Sequence, residues 1–350
     1  MHKIFWFCLL LCCSLPLALA NKSPPLYQIA LPVATDDAAV REAAFAQALE
    51  QVLIKVSGNS QIQVKNPALN TLKASNLVAS YRYEKLENTS VDVLPFILTV
   101  TFQEQGIQDS LKKTGQIAWT SDRSAILAWI TIQDQQGARL LTSDLDNSLL
   151  QASQRLAEKR GISLALPLLD LATLNQISVS DINNNRWDLI EKASAPYQRG
   201  ATLLLQMIQN IDGTWTTHSQ LLLDRATQEW TLSGADKTAL LIQTLNTVMD
   251  AFAEHYTALL AAPDNTIALQ INQISTLEQS VQLQNLLAPL SLITQINVTE
   301  VTPSSILLSL KIKGEKTALK TALASSNQLA PADNSATADL LTYTLKAPAT

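Results

Sequence analysis

The sequence predicts an α+β protein built from three mixed α/β units with mainly antiparallel sheets, the last unit ferredoxin-like. Three observations predict it. Apolar residues alternate between helical and strand spacing along the whole chain. Turn and cap signals close each element at ordinary lengths. A Pro-Asp-Asn break at 263–265 sets off a final stretch that reads βαββαβ.

The first unit spans 21–120 and opens with a strand over Leu26–Val33. Thr35 is placed to cap a helix whose first turn holds Asp36 and Asp37, next to the positive end of the helix dipole. Val40, Ala44, Phe45, Ala48, Leu49, Val52 and Val56 recur at three- and four-residue spacing, and Gly58 stops the helix from the C′ position. A second helix is expected over Pro67–Ser80, then strands over Tyr81–Leu86 and Asp92–Phe102, then a short helix over Ile107–Thr114.

The second unit spans 121–262. It predicts a buried strand at Ala125–Ile132, a helix from Ser143 or Asp144 to Arg160, and a buried strand at Ile162–Leu169. A helix at Arg186–Ser194 follows, then a meander of Ala201–Gln209, Thr214–Leu223 and Gln228–Leu232. Asp212-Gly213 supplies the chemistry of a hairpin turn. A long helix carrying Leu241, Leu245, Val248, Phe252, Tyr256 and Leu259 on one face closes the unit. The third unit, 263–350, orders a strand (Ile267–Ile274), a helix (Leu277–Leu287), two strands (Ile293–Val301, Ile306–Ile312), a helix (Lys316–Ala324) and a last strand (Leu340–Leu345), with Ser325–Thr337 as a loop.

Residues 1–20 have the form of a secretory signal: Lys3, an apolar run from Ile4, and Ala18-Leu19-Ala20 as the cleavage site. Cleavage after Ala20 gives an exported protein. All three cysteines, Cys8, Cys12 and Cys13, lie in that segment, so the remaining chain has no disulfide, no thiol nucleophile and no Cys-ligated metal. Without Lys3 the chain holds 24 basic and 30 acidic residues, a net charge of −6. The charges are mixed, with no basic run, which argues against nucleic-acid binding. No later stretch reads as a membrane span.

Chemistry-bearing motifs are sparse, and no cofactor is expected. His218 and His255 each stand without a second metal-binding residue at ligand spacing. The start of a calcium loop at Ser143–Ser148 fails at its sixth and twelfth positions, Leu149 and Arg155. The glycines, nine in all, are too scattered for a phosphate cradle. Two features remain as candidate binding residues. Trp119 and Trp129 bracket Arg123, an arrangement that can build a stacking platform for a ligand or pack a domain junction. Asp170 follows the apolar run Ala165–Leu169 and ends a buried strand, a place for a functional acid or for the cap of the next turn.

Val52-Leu53-Ile54-Lys55-Val56-Ser57-Gly58-Asn59, then Trp119, Arg123 and Ala128-Trp129, resemble the signature of an exported proteobacterial family, domain of unknown function 2066. Arg160-Gly161-Ile162, Leu166–Asp170, Ala193-Ser194, Tyr197, Trp215 and Trp230 continue the resemblance in order. Ser124 stands where that family has Pro, and Gln103 where it has an acid. The resemblance implies a Gram-negative envelope location and carries no activity.

Three functions compete on this reading. The first is a non-catalytic scaffold or adaptor in envelope biogenesis with an envelope protein as partner. The second is a small-molecule or glycan binding protein using Trp119, Arg123 and Trp129. The third is an acid/base hydrolase of envelope polymer using Asp170, which needs a second carboxylate nearby.

Overall fold

The protein is seen in a computed structural model that describes residues 25–86, 94–119, 123–197, 200–224, 226–288, 290–324, 328–332 and 340–346. The signal-like segment 1–20 lies outside the described residues. The architecture is α+β, with three sheets that pair mainly antiparallel, the first entirely so.

The first sheet has the order β1-β3-β2, from β1 (Gln28–Val33), β2 (Val78–Lys85) and β3 (Phe96–Phe102). Between β1 and β2 come α1 (Ala38–Ser57), the single turn α2 (Ile62–Lys65), and 3-10 turns at Pro67–Thr71 and Ala74–Asn76; α3 (Glu104–Lys113) follows β3. Helix α1 presses Phe45, Leu49, Val52 and Val56 into a core shared with Ile29, Leu31, Leu98 and Val100. Its N-cap is Asp37, not Thr35, and its first turn holds no acid. Thr35 donates instead to the Asp37 carboxylate at 2.8 Å. The helix expected over Pro67–Ser80 is replaced by the two 3-10 turns. Thr71 donates its hydroxyl to the Ala68 carbonyl at 2.8 Å, a local bond that competes with the helical ladder.

The second sheet has the order β5-β4-β7-β8-β9, with β6 also on β4. Its strands are β4 (Ile126–Asp134), β5 (Gly137–Leu140), β6 (Leu164–Ala165), β7 (Ala201–Gln209), β8 (Trp215–Leu223) and β9 (Ala226–Gly234). Only β4 with β6 and β4 with β7 run parallel. Helices α4 (Ser143–Arg160) and α8 (Lys237–Ala261) cover one face, against Ile126, Ala128, Ile130, Leu203 and Leu205. The short α5 (Leu171–Leu174) and α6 (Val179–Asn183) precede α7 (Trp187–Ser194). Helices α6 and α7 cover the other face, against Leu127, Trp129 and Leu204. The buried strand expected over Ile162–Leu169 shrinks to two residues. The Ile162 amide bonds Ala157 O as part of the helix cap, Pro167 has no amide to give, and the Leu168 amide bonds the Tyr197 hydroxyl.

The third sheet has the order β11-β12-β10-β14-β13. It contains β10 (Asp264–Asn272), β11 (Ile293–Val301), β12 (Ser305–Lys313), β13 (Leu329–Pro331) and β14 (Leu340–Leu345), with α9 (Leu277–Leu287) and α10 (Lys316–Ala324) as its helices. The βαββα order is present. The ending differs from the expected ferredoxin-like pattern, because β13 forms within the segment expected to be loop. Strand β13 pairs antiparallel with β14, which therefore turns back and runs parallel to β10.

Candidate functional site

The first and second units meet where two helices end. Helix α1 stops at Gly58, whose φ is 73° and whose amide bonds Ile54 O at 2.8 Å. Helix α4 stops at Gly161, with φ 61°; the Gly161 amide bonds Glu158 O and the Ile162 amide bonds Ala157 O, a full Schellman cap. Glycine is required at both places for a second reason. A Cβ on Gly58 would sit 2.6 Å from the Ala253 Cβ, and one on Gly161 would sit 2.8 Å from the Lys55 side chain. The helices end by touching their neighbours.

Each end leaves carbonyls without helical partners and carries the negative pole of the macrodipole. Two arginines satisfy both needs. Arg123 donates to Lys55 O and Gly161 O, each at 2.8 Å, to Val56 O at 3.0 Å, and through Nε to Trp119 O at 2.9 Å. Arg160 donates to Gly58 O at 2.6 Å, Asn246 Oδ1 at 2.7 Å and Asp250 Oδ1 at 2.6 Å. Asp250 also accepts from the Ser60 amide and hydroxyl, at 2.8 and 2.6 Å. One buried guanidinium and one carboxylate on α8 thus tie both helix ends together.

Burial dominates the electrostatics here. It pushes the Arg123 guanidinium down to about 10, partly offset by Tyr27. That is still well above neutrality, so the group stays a cation. Burial likewise lowers Lys55, with Arg123 adding repulsion and Glu158 opposing it. Arg160 is lowered by burial against the pull of Asp250. The Lys55 ammonium bonds Pro25 O at 2.9 Å. Backbone carbonyls carry most of the compensation for this buried positive charge.

Trp119 completes the joint. It is 1% exposed, stacks on Tyr256 with centroids 5.1 Å apart and planes 9° apart, and meets Phe252 edge-on at 5.7 Å. The Arg123 guanidinium carbon lies 4.5 Å from the Trp119 ring centroid. Trp119 and Arg123 are therefore brought together, as the sequence suggested. Trp129 is not with them. It sits on β4 facing α6 and α7, fully buried, and its indole donates to Ser194 Oγ at 3.0 Å. The strand alternation sends Ala128 and Ile130 toward Trp119's core and Trp129 to the other face. Asp170 is exposed, and its carboxylate accepts the Thr173 amide at 2.8 Å, which caps α5.

A second polar cluster was invisible in the sequence. His255 on α8 places Nε2 2.9 Å from Asp224 Oδ2 and 3.0 Å from Ser291 Oγ. The Ser291 hydroxyl bonds the same carboxylate, and its amide bonds Asp224 Oδ1 at 3.0 Å. The residue types are those of a hydrolase triad, but the wiring differs. In the triad, serine and aspartate use opposite imidazole nitrogens. Here both use Nε2, and the serine proton is directed to the aspartate. The cluster works as a clasp between the second and third units. Burial raises the Asp224 pKa, but the hydrogen bonds from His255 and Ser291 outweigh it and leave the group below its ordinary value. No group of three or more His, Cys, Asp or Glu suited to a metal occurs among the described residues. Asp146, in the segment that resembled a calcium loop, is buried and pairs with Arg139 at 3.0 Å and Lys237 at 3.6 Å.

A family model described as a domain of unknown function, DUF8605, matches residues 20–120, so the first unit is similar to that family. This overturns the resemblance to domain of unknown function 2066. The quoted motifs have a physical reading of their own: a capped helix end, a buried tryptophan and an arginine that binds free carbonyls are what a tight joint between two α/β units requires. The Gram-negative envelope location loses the support of that resemblance and rests on the signal-like pattern of residues 1–20 alone. No curated protein matches the chain. Among solved structures, one titled only as an uncharacterized protein is similar over 39% of this chain and 92% of its own, at 11% identity and a TM-score of 0.14. The SeMet-substituted Kluyveromyces lactis allophanate hydrolase is similar over 77% of this chain and 66% of its own, at 7% identity and a TM-score of 0.17. Scores this low support no argument about fold or function.

Proposed function

We propose that this is an exported, periplasmic protein without catalytic activity of its own, acting as a scaffold or adaptor in envelope biogenesis. The observation that carries the reading is what the polar clusters do. Arg123, Arg160 and Asp250 fasten the first unit to the second, and Asp224, His255 and Ser291 fasten the second to the third. The reactive-looking side chains hold units at fixed spacing, which is what a scaffold needs. Export is supported by the pattern of residues 1–20 and by the confinement of cysteine to them. No helix among the described residues is long and apolar enough to cross a membrane.

In vivo crosslinking of the tagged full chain, with mass spectrometry of what co-purifies, tests the adaptor reading. A reproducible envelope protein, lost when surface residues of one unit are changed, is the expected result. A chain that crosslinks to nothing overturns it. A second reading, small-molecule or glycan binding, is favoured by one observation. A cleft of about 850 Å3 lies between the second and third units, lined in part by Glu191, Tyr197, Thr202, Asp224, Asn285 and Gln328. A glycan-array screen of the purified protein decides it.

A further inference from the structure

A groove of about 890 Å3 lies beside Arg160, walled by α1, α4 and α8. Besides the neutral polar Ser60, Gln61, Gln243, Asn246 and Thr247, its lining carries an apolar set and a cationic set. Leu156 on α4 is buried with Ile242 of α8 packed on its core cluster, and Ile54 of α1, half-buried, lines the same groove. Arg155 and Lys159, four residues apart and so on one face of α4, are exposed at the groove.

The charge is unmatched. Asp250 is the one acid lining the groove among the described residues, and it is engaged by Arg160 and Ser60. Arg155 makes a long bond of 3.4 Å to the neutral Gln151, and neither it nor Lys159 has an ion pair within 4 Å among the described residues. Beneath them Arg160 is 2% exposed, and its buried Nε has no hydrogen-bond partner. In a chain with more acids than bases, 30 against 25, two unpaired cations above a buried third make a local field opposite to the molecule's own. A volume of this size falls within the ~300–1,000 Å3 range of small-molecule sites.

We propose that this groove binds an anionic amphiphile, with its carboxylate or phosphate head held by Arg155 and Lys159 and its hydrocarbon chain laid along Leu156, Ile54 and Ile242. The hydrocarbon supplies affinity through burial, and the cations supply orientation and selectivity by sign. The inference stands independently of the adaptor reading, since a scaffold and a non-scaffold can equally hold such a ligand.

Isothermal titration of the full chain with dodecanoate, dodecyl phosphate, inorganic phosphate and dodecyl maltoside, all below micelle formation, tests it. Expected are one site for each anionic amphiphile, binding at least tenfold weaker for the neutral maltoside, and no measurable binding of inorganic phosphate at the same concentrations. The double variant Arg155→Ala/Lys159→Ala, exposed and so compatible with folding, should weaken dodecanoate binding at least tenfold with an unchanged melting temperature. Ile242→Glu, which places a carboxylate against the hydrocarbon surface, should abolish it. Dodecanoate affinity untouched by the double variant overturns the proposal. Inorganic phosphate binding as tightly as dodecyl phosphate, or a polyglutamate peptide binding where dodecanoate does not, also overturns it.

Discussion

Trp119 lies flat against Tyr256, centroids 5.1 Å apart, and this stacked pair joins the segment leaving the first unit to the last helix of the second. The contact bridges 137 positions of sequence. Trp119→Ala should therefore cost about 3–5 kcal/mol in urea unfolding, in the range of large aromatic truncations from a core. Trp129→Phe, in the separate core across the sheet, should add to it within about 0.5 kcal/mol. Strong coupling between the two would mean that they share one cluster, contrary to their placement on opposite faces.

Gly58 is held by both its conformation and its neighbour. Gly58→Ala should destabilise by about 1–3 kcal/mol, from the left-handed φ and the contact with Ala253. Ala253→Gly removes the contact but not the strain. The double variant should accordingly be more stable than the sum of the two single losses predicts. Simple additivity in a thermodynamic cycle would show that the close approach does not matter.

Removing the Asp250 carboxylate leaves the Arg160 guanidinium buried with one charge partner fewer. Asp250→Ala should lie near the lower end of the about 3–5 kcal/mol typical of a broken buried pair, because the aspartate is 32% exposed. Arg160→Met, which removes the charge itself, should cost less than its loss of bonds suggests. Equilibrium denaturation of both variants, with circular dichroism to verify the native fold, gives the comparison.

Asp224 predicts an acid limb. Its pKa is depressed in the folded protein below the ordinary 3.8, so the folded state binds fewer protons there than the unfolded one. The stability it contributes is present above pH ~4 and is lost as pH falls below 3.8 through the folded value. Asp224→Asn should be less stable than wild type at pH 7 by about 1–3 kcal/mol. It should also lose less stability between pH 5 and 3. Parallel acid limbs in urea midpoints would show that Asp224 does not titrate across the folding transition.

Much of the architecture was legible because it is local. The periodicity ending at Gly58 gave α1, Ser143–Arg160 gave α4, and alternation around Asp212-Gly213 gave the β7–β8 hairpin. Where the reading failed, a tertiary or competing local bond decided the outcome. Ile162 reads as strand from its apolar neighbours, but its amide closes the cap of α4. Leu329–Pro331 looked like loop because its composition is that of one, and only the neighbouring β14 makes it a strand. The candidate platform was half legible. Trp119 and Arg123 meet through a four-residue bond to the Trp119 carbonyl, whereas Trp129 is removed by strand alternation, which the sequence also contained. His255 looked solitary because its partners lie 31 and 36 positions away, and no spacing rule links a helix residue to two loops.

The placement of β14 has a consequence in time. It sits inside the third sheet, between β10 and β13, with Tyr343 opposite Ile271 in the parallel register. Its partner is made more than seventy residues earlier. A chain emerging in order from a ribosome or a translocation pore therefore completes two units while β10 still shows a bare edge. That edge is open to any passing strand until residue 345 arrives, and the interval between them is when a chaperone has most to do.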